Sequence, residues 1–216
     1  MLKALSKGCS VCGRMTGSTF TDLYLDEASH LIQSLDRAAV EKLAVGLASV
    51  RDRGGRLFIL GVGGSAGHAS HAVNDFRKIC AFEAYAATDN VSEFTARAND
   101  EGWDSTFSGW LASSRLNSAD AVLVFSVGGG DKERGVSVNI VEALDFARRV
   151  GAAVFGVVGR EGGFTARVAD AVVIIPPHYP ERVTPHTEGL CAVVWHLLVS
   201  HPNLQAKATR WESLQR

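Results

Sequence analysis

The chain has 216 residues with 22 basic and 23 acidic side chains, a formal net charge of −1 and 46% hydrophobic residues. This length predicts one large domain, and the balanced charge argues against a nucleic-acid coat or a polybasic membrane binder. We see no apolar run near the roughly 20 residues that cross a bilayer and no secretory leader. Four cysteines are too few for a disulfide scaffold. We therefore expect a cytoplasmic protein with no nucleic-acid or membrane partner.

The first 18 residues differ from the rest, because they are rich in Gly and Ser and lack periodic apolar positions. We interpret residues 1–18 as a flexible extension, with Met15 opening the domain proper. Cys9 and Cys12 form a single C-x-x-C, and a working thiol or metal site would need a second pair or an adjacent strand–helix unit. The remaining residues, 19–216, are predicted to be one domain that begins with two amphipathic helices within 19–53.

Past the break at Gly54 and Gly55, short apolar runs alternate with helical patterns. Strands are predicted at 57–60, 84–87, 121–125, 153–158 and 171–175. Helices are predicted near 66–80, 91–116, 136–150, 163–168 and 185–200, the last with Thr184 as N-cap and Pro185 in first position. Strands that are apolar throughout are typical of a parallel sheet covered on both faces, which predicts a three-layer α/β domain. Ligands of such domains bind at the carboxyl ends of the strands.

Two of the predicted strands run into glycine-rich loops, GVGGSAG from Gly61 and SVGGGD from Ser126. Backbone N–H groups in such loops, and at the helix N-terminus that follows, attract anions. We predict that the two loops hold a phosphorylated ligand between them, with contacts from Gly63, Gly64, Ser65, Ser126, Gly128, Gly129 and Ser137. The alternative for Ser65 is a simple helix N-cap.

The first loop also fits the G-x-G-x-x-A form of the dinucleotide fingerprint. Asp89 ends the second strand where a ribose-binding acid would lie, and it joins the candidate ligand contacts. Against a dinucleotide enzyme, the next helix carries a polar face with His68, His71 and Asp75, and the chain leaves little room for a substrate domain.

His71 and Asp75 are four residues apart on one helix face, a spacing that suits metal chelation or acid–base chemistry as well as a plain solvated face. The last predicted helix carries Glu188 and His196, eight residues apart. His196 has apolar neighbours, so it could equally be a core histidine. The two side chains converge only if a ligand fits between them.

From Arg56 to about Pro202 the sequence resembles the SIS (sugar isomerase) domain family, and within it the phosphoheptose isomerases. The resemblance rests on GVGGS at 61–65, His71 followed by Asp75, ANDEGW at 98–103, the loop at 126–130, GREGG at 159–163, and Thr187-Glu188 followed by His196.

The resemblance implies a five-stranded, flavodoxin-like parallel sheet with an N-terminal helical arm, in a homotetramer whose sites lie at subunit interfaces. It implies an enediol isomerisation of sedoheptulose 7-phosphate to D-glycero-D-manno-heptose 7-phosphate. By position, His196 matches a catalytic His, and His71, Asp75, Glu188 and His196 match residues that hold zinc in some members. We assign Asp75 or Glu188 as one acid/base of the reaction and His196 as the other. Ser65, Ser126 and Ser137 match substrate contacts.

The sequence departs from the family pattern at several of these positions. Val62 replaces an Asn, Val127-Gly128 replaces a Thr-Ser pair, Asp131–Val136 looks like an insertion, Asp75 is one methylene shorter than the usual Glu, and Glu188 replaces a Gln. Phosphate binding must then depend more on backbone N–H groups than on hydroxyls. The alternative function is a non-catalytic SIS protein that senses a sugar phosphate.

Overall fold

A five-stranded, fully parallel sheet forms the centre of the fold in a computed structural model that describes residues 18–207. The strands are β1 (Leu57–Leu60), β2 (Ala84–Ala86), β3 (Ala121–Ser126), β4 (Ala153–Val158) and β5 (Ala171–Ile174). Their spatial order, β2-β1-β3-β4-β5, is the flavodoxin-like order, which confirms the predicted sheet. Cys9, Cys12 and the predicted extension, except for Ser18, lie outside the described residues.

Eight α-helices and two 3-10 helices accompany the strands in the described part of the chain. The α-helices are α1 (Phe20–Gln33), α2 (Arg37–Asp52), α3 (Gly64–Lys78), α4 (Val91–Asp100), α5 (Thr106–Ser113), α6 (Val138–Arg149), α7 (Gly163–Val168) and α8 (Val183–Ser200). The 3-10 helices are Trp103–Ser105 and Pro180–Arg182. No helix among residues 18–207 has both the length and the apolar character needed to cross a bilayer.

The strands bury both faces because their side chains alternate between two hydrophobic clusters. Ile59 and Leu123 point into a cluster that includes residues of α2, α3 and α8. Phe58 and Val122 point the other way, into a cluster with residues of α5 and α6. Helices therefore cover the sheet on both sides, and the predicted three-layer arrangement is confirmed.

The two N-terminal helices differ in how they attach. Helix α2 is an integral part of the core through buried Val40, Leu43 and Leu47, whereas α1 buries only Glu27 and Leu31. Helix α1 leaves Phe20 68% exposed and Leu25 61% exposed. It forms the predicted helical arm.

Two helix boundaries differ from the prediction. The segment predicted as one helix at 91–116 is split, because Gly102 takes a left-handed φ of 88° between α4 and the 3-10 helix. Helix α8 begins at Val183 rather than at Pro185, and Thr184 is not its N-cap. Pro185 is tolerated in third position because the first four N–H groups of a helix have no intrahelical partner.

Candidate active site

A cavity of about 870 Å³ opens where β1 and β3 end. Val62 and Ser65 line it from the loop after β1, and Ser126, Val127 and Gly128 line it from the loop after β3. The two glycine-rich loops therefore face one shared space, as the sequence predicts for a ligand held between them.

Some of the predicted ligand contacts line the cavity, and others do not. Ser65, Ser126, Gly128 and Ser137 line the cavity, as does the predicted catalytic residue Glu188. The remaining predicted contacts are not part of the lining: Gly63, Gly64, Gly129 and Asp89. Asp89 instead accepts a hydrogen bond from the hydroxyl of Ser70.

Two serines on the cavity wall, Ser65 and Ser126, lie in different settings. The N-cap of α3 is Gly63, with a φ of 61°, so the alternative that Ser65 caps this helix is wrong. Ser65 is the second residue of α3 and is buried. The hydroxyl of Ser126 accepts a hydrogen bond from the backbone N–H of Gly129 at 3.0 Å, which fixes the shape of the loop.

Gly129 supports the site through packing. A side chain there would collide with the backbone carbonyl of Gly162, and its φ of 71° favours glycine. The N–H groups of Phe164 and Thr165 donate to the carbonyls of Gly130 and Gly129 at 2.8 and 2.9 Å. The loop after β3 is therefore joined backbone to backbone to the first turn of α7, the helix that follows β4.

Gly64 also supports the site, because its lack of a side chain leaves space for the carboxylate of Glu188. A Cβ atom at Gly64 would lie 2.6 Å from Oε1 of Glu188, closer than real Cβ contacts allow. The missing side chain therefore makes room for a half-buried carboxylate on the cavity wall, next to the N-terminus of α3.

A second group of polar side chains lies on the facing sides of α3 and α8. His71, Asp75 and His196 each offer one ligand atom, and these three atoms lie within 4.8 Å of one another. The two histidines are exposed and Asp75 is buried. The alternative of His196 as a core histidine is therefore wrong, and the structure places His196 close to Asp75.

The carboxylate of Asp75 is only partly satisfied. Its Oδ1 accepts a hydrogen bond from Asn74 Nδ2 at 2.8 Å, whereas its buried Oδ2 has no hydrogen-bond partner in the described part of the chain. The nearest cationic candidate, His71 Nε2, is 3.9 Å from Oδ2. A buried, unpaired carboxylate oxygen is unfavourable unless a proton or a cation joins it. This oxygen therefore suits a metal ion.

His196 is oriented by its own helix. Its Nδ1 lies 2.8 Å from the carbonyl oxygen of Ala192. Because a carbonyl can only accept, Nδ1 carries the proton and Nε2 keeps its lone pair. The ring also stacks on the indole of buried Trp195, at 3.5 Å between centroids. A fixed tautomer of this kind is typical of metal-binding and acid–base histidines.

Glu188, predicted as a fourth metal ligand, does not belong to this cluster. Ser65 on the cavity wall and His71 in the cluster are six residues apart on α3, or about 9 Å along the helix axis. Within a single chain, the ligand cavity and the His–Asp cluster are therefore neighbouring features rather than one wall.

Three arginines that we did not predict as site residues also line the cavity: Arg134, Arg160 and Arg167. Arg134 follows β3 in the inserted segment, and Arg160 belongs to GREGG after β4. Both positions lie in loops that the topology marks for ligand binding, so a signal was present. The same lining contains Asp131, Glu161 and Glu188, so the arginines balance three carboxylates rather than making the cavity positive.

Comparison with known proteins gives the same assignment as the geometry. The SIS domain family model matches residues 23–159. This span is more than half of the 216-residue chain. The chain belongs to the SIS domain family.

Similar proteins include enzymes and a regulator. The chain is 30% identical over 184 residues to the phosphoheptose isomerase of Pelodictyon phaeoclathratiforme, covering 79% of this chain and 84% of that protein. The phosphoheptose isomerase GmhA of Neisseria gonorrhoeae has the same fold, with a TM-score of 0.71, 23% identity, and coverage of 83% and 96%. The sugar isomerase domain of an RpiR transcription factor from Sphaerobacter thermophilus aligns with a TM-score of 0.51, 17% identity, and coverage of 82% and 83%.

Proposed function

We propose that this protein interconverts a ketose phosphate and the isomeric aldose phosphate, with sedoheptulose 7-phosphate as substrate and D-glycero-D-manno-heptose 7-phosphate as product. The observation that carries the proposal is the cavity between the two glycine-rich loops, with Glu188 on its wall and the His71–Asp75–His196 cluster next to it. The phosphoheptose isomerases at about 30% identity support the same reaction.

The reaction moves protons between adjacent atoms. A base takes a proton from C-1, the electrons pass to the C-2 carbonyl to give an enediol, and a proton returns to C-2 as the carbonyl forms at C-1. A second group moves the proton between the two oxygens. Each such transfer by a positioned side chain typically contributes ~10²–10⁴ in rate.

In zinc-free protein His196 suits the transfer between the oxygens, because Nε2 is free to accept a proton. Since His196 does not line the cavity of its own chain, this role requires the subunit interface of the proposed tetramer to bring the cluster to the cavity. A carboxylate suits the carbon, and the choice lies between Glu188 and Asp75. Glu188 lines the cavity, whereas Asp75 is buried beside His71. We therefore assign the carbon base to Glu188. A Glu188→Gln variant that isomerises as fast as wild type would move this assignment to Asp75.

Zinc fits the cluster on the chemistry of its donors, two imidazoles and one buried carboxylate oxygen that has no partner among residues 18–207. His71, Asp75 and His196 would hold the ion. Because Nε2 of His196 would then be a ligand, a bound zinc would take over its part in the reaction by polarising the substrate oxygens as a Lewis acid. The test is elemental analysis of protein purified without added ions. We expect about one zinc per chain, and activity unchanged after its removal by a chelator would reject a catalytic metal.

A homotetramer with sites at subunit interfaces is part of the proposal. Val193 and Leu197 flank His196 on α8 and are 41% and 43% exposed. A partner that covered these residues would also reach the cluster. Light scattering should then report four times the chain mass of 23.0 kDa.

The direct test is incubation of the purified protein with sedoheptulose 7-phosphate, with aldose formation followed over time. We expect turnover by wild type and none by His196→Asn with the fold intact. His201→Asn is the matched control, because His201 follows α8 and pairs with Glu41 away from the cavity. Turnover by His196→Asn at the wild-type rate would remove His196 from the mechanism.

The second candidate function is a sugar-phosphate sensor without catalysis. Val127 and Gly128 favour it, since they replace hydroxyls on the phosphate loop. A protein that binds sedoheptulose 7-phosphate tightly but leaves it unchanged would be a sensor.

A further inference from the structure

The inserted segment Asp131–Val136 forms a short, fixed turn over the cavity. Asp131 and Val136 pair antiparallel, with N–H to carbonyl distances of 2.8 and 2.9 Å in the two directions. The carboxylate of Asp131 also accepts the backbone N–H of Arg134 at 3.1 Å. The backbone of the turn is therefore held in one shape, and Arg134 projects from it to line the cavity.

The loop that the turn extends is poor in hydroxyl donors. Val127 and Gly128 carry none, so Ser126, whose oxygen accepts the N–H of Gly129, is the one residue of 126–130 with a hydroxyl that can donate. The same cavity is lined by the carboxylates of Asp131, Glu161 and Glu188. A phosphate dianion would be repelled by these carboxylates unless cationic donors lay close to it.

The guanidinium of Arg134 is available for such a ligand. Among residues 18–207 its one ion pair is with Asp131, at 3.6 Å from Nε to Oδ2, beyond hydrogen-bond distance. Its side chain is 83% exposed. A guanidinium presents a planar fork of donors that matches phosphate oxygens.

We propose that Arg134 binds the phosphate group of the substrate and replaces the hydroxyls that the loop lacks. The identity of the whole substrate rests on the proposed function, whereas the binding of a phosphate group by Arg134 does not depend on it. Arg160, from the loop after β4, adds positive charge to the same cavity.

The test compares Arg134→Gln with Lys132→Gln. Lys132 belongs to the same turn and is 63% exposed, but it pairs with Glu142 at 2.8 Å and does not line the cavity. The probe is inorganic phosphate, titrated calorimetrically into wild type and each variant, with thermal unfolding as the check on folding. We expect the phosphate Kd to rise about tenfold in Arg134→Gln, as for loss of one charge-assisted hydrogen bond. It should change less than twofold in Lys132→Gln, with Arg134→Lys between the two.

The substrate supplies the second readout. With sedoheptulose 7-phosphate, Arg134→Gln should raise KM about tenfold at nearly constant kcat, since a remote binding contact acts on ground state and transition state alike. The phosphate titration does not require turnover. If wild type leaves sedoheptulose 7-phosphate unchanged but the phosphate Kd still depends on Arg134, the proposed function fails and this inference stands.

Two results would overturn the inference. One is a phosphate Kd for Arg134→Gln within twofold of wild type, even if wild type isomerises the sugar. The other is an absence of phosphate binding by wild type at millimolar concentration.

Discussion

Among residues 18–207, two groups place a histidine of α8 beside a buried carboxylate, and they differ in how completely that carboxylate is hydrogen-bonded. Glu27 on α1 is buried and accepts hydrogen bonds from Arg182 at 2.7 and 2.6 Å and from His186 at 2.8 Å. Asp75 on α3 is equally buried, but its Oδ2 has no hydrogen-bond partner among the residues that the structure describes. Both carboxylate oxygens of Glu27 therefore have hydrogen-bond partners within the chain, whereas Asp75 has a partner for one oxygen alone among the described residues.

The difference indicates which group has a structural function and which has a chemical one. The Arg182 hydrogen bonds, helped by His186 and opposed by burial, lower the pKa of Glu27 to about 2. A carboxylate so stabilised as an anion is a poor proton acceptor, and it serves to dock α1 onto the N-terminal end of α8. Asp75, with exposed histidines at its side, keeps a free oxygen for an external ligand. Substitutions of Asp75 should therefore change activity, and substitutions of Glu27 should change stability.

The largest effect is expected from Asp75→Asn. Loss of the free carboxylate oxygen should reduce sedoheptulose 7-phosphate turnover about 10³-fold, within the range for loss of an acid–base or ligand group. It should also remove bound zinc. The free energy of unfolding of metal-free protein should change by less than about 1 kcal/mol, because no hydrogen bond to Oδ2 is lost. Exposed Asp26→Asn is the control for activity, and wild-type turnover in Asp75→Asn would contradict the assignment.

For Glu27→Gln we expect a loss of stability with little change in turnover. Removing the buried charge leaves Arg182 and His186 with a weaker acceptor, so the free energy of unfolding should fall by about 2 kcal/mol. The turnover of folded protein should stay within twofold of wild type. Urea unfolding measures the first and the isomerase assay the second. Glu181→Gln is the control, since Glu181 is 84% exposed where it pairs with Arg182 and should contribute little. Equal stability of the two variants would show that the Glu27 group does not hold α1.

A third comparison uses two glycines of α3. Gly64→Ala places a methyl group against Glu188, whereas a Cβ at Gly67 meets nothing within 4 Å. Because the carboxylate is the end of a flexible side chain, Gly64→Ala should displace it and lower turnover about tenfold with little loss of stability. Gly67→Ala should keep activity and stabilise the helix by up to about 1 kcal/mol. Equal activity of both variants would mean that the position of Glu188 is unimportant.

The smallest effect is the pH dependence of the Glu27 group. Its folded-state pKa of about 2 is below the ordinary value of 4.5. Its stabilisation is therefore fully present above about pH 4.5 and is lost as the pH falls toward 2. The stability difference between wild type and Glu27→Gln, measured by urea unfolding from pH 7 to pH 3, should shrink over the acid part of that range. A difference that grows on acidification would have the wrong sign.

The sheet was predictable because its signal is local. Leu57–Leu60 and Ala121–Ser126 are continuous apolar runs, and two-sided burial in a parallel sheet requires that pattern. The two glycine-rich loops were predictable for the same reason, since strand order alone brings their ends together. Helix boundaries were predicted less accurately than strands. The break at Gly102 and the start of α8 depend on backbone conformations, and the spacing of apolar residues gives no information about them.

The arrangement of the side chains was only partly predictable. The approach of His71, Asp75 and His196 follows from motif order in a known family, but spacing along the chain could not separate Glu188 from that group. Arg134 was missed because an insertion has no counterpart in the family pattern. Glu27 and Arg182 are 155 positions apart in the chain. No sequence pattern connects the two residues, so their ion pair could not be predicted.

The most direct test of the account is the reaction itself, run in D₂O and followed by proton NMR with sedoheptulose 7-phosphate as the only substrate. If Glu188 takes the C-1 proton and His196 is required at the oxygens, as a proton carrier or as a zinc ligand, wild type forms an aldoheptose 7-phosphate with solvent deuterium at C-2, and His196→Asn forms none. Unchanged ketose after prolonged incubation with zinc-loaded wild type would contradict the account.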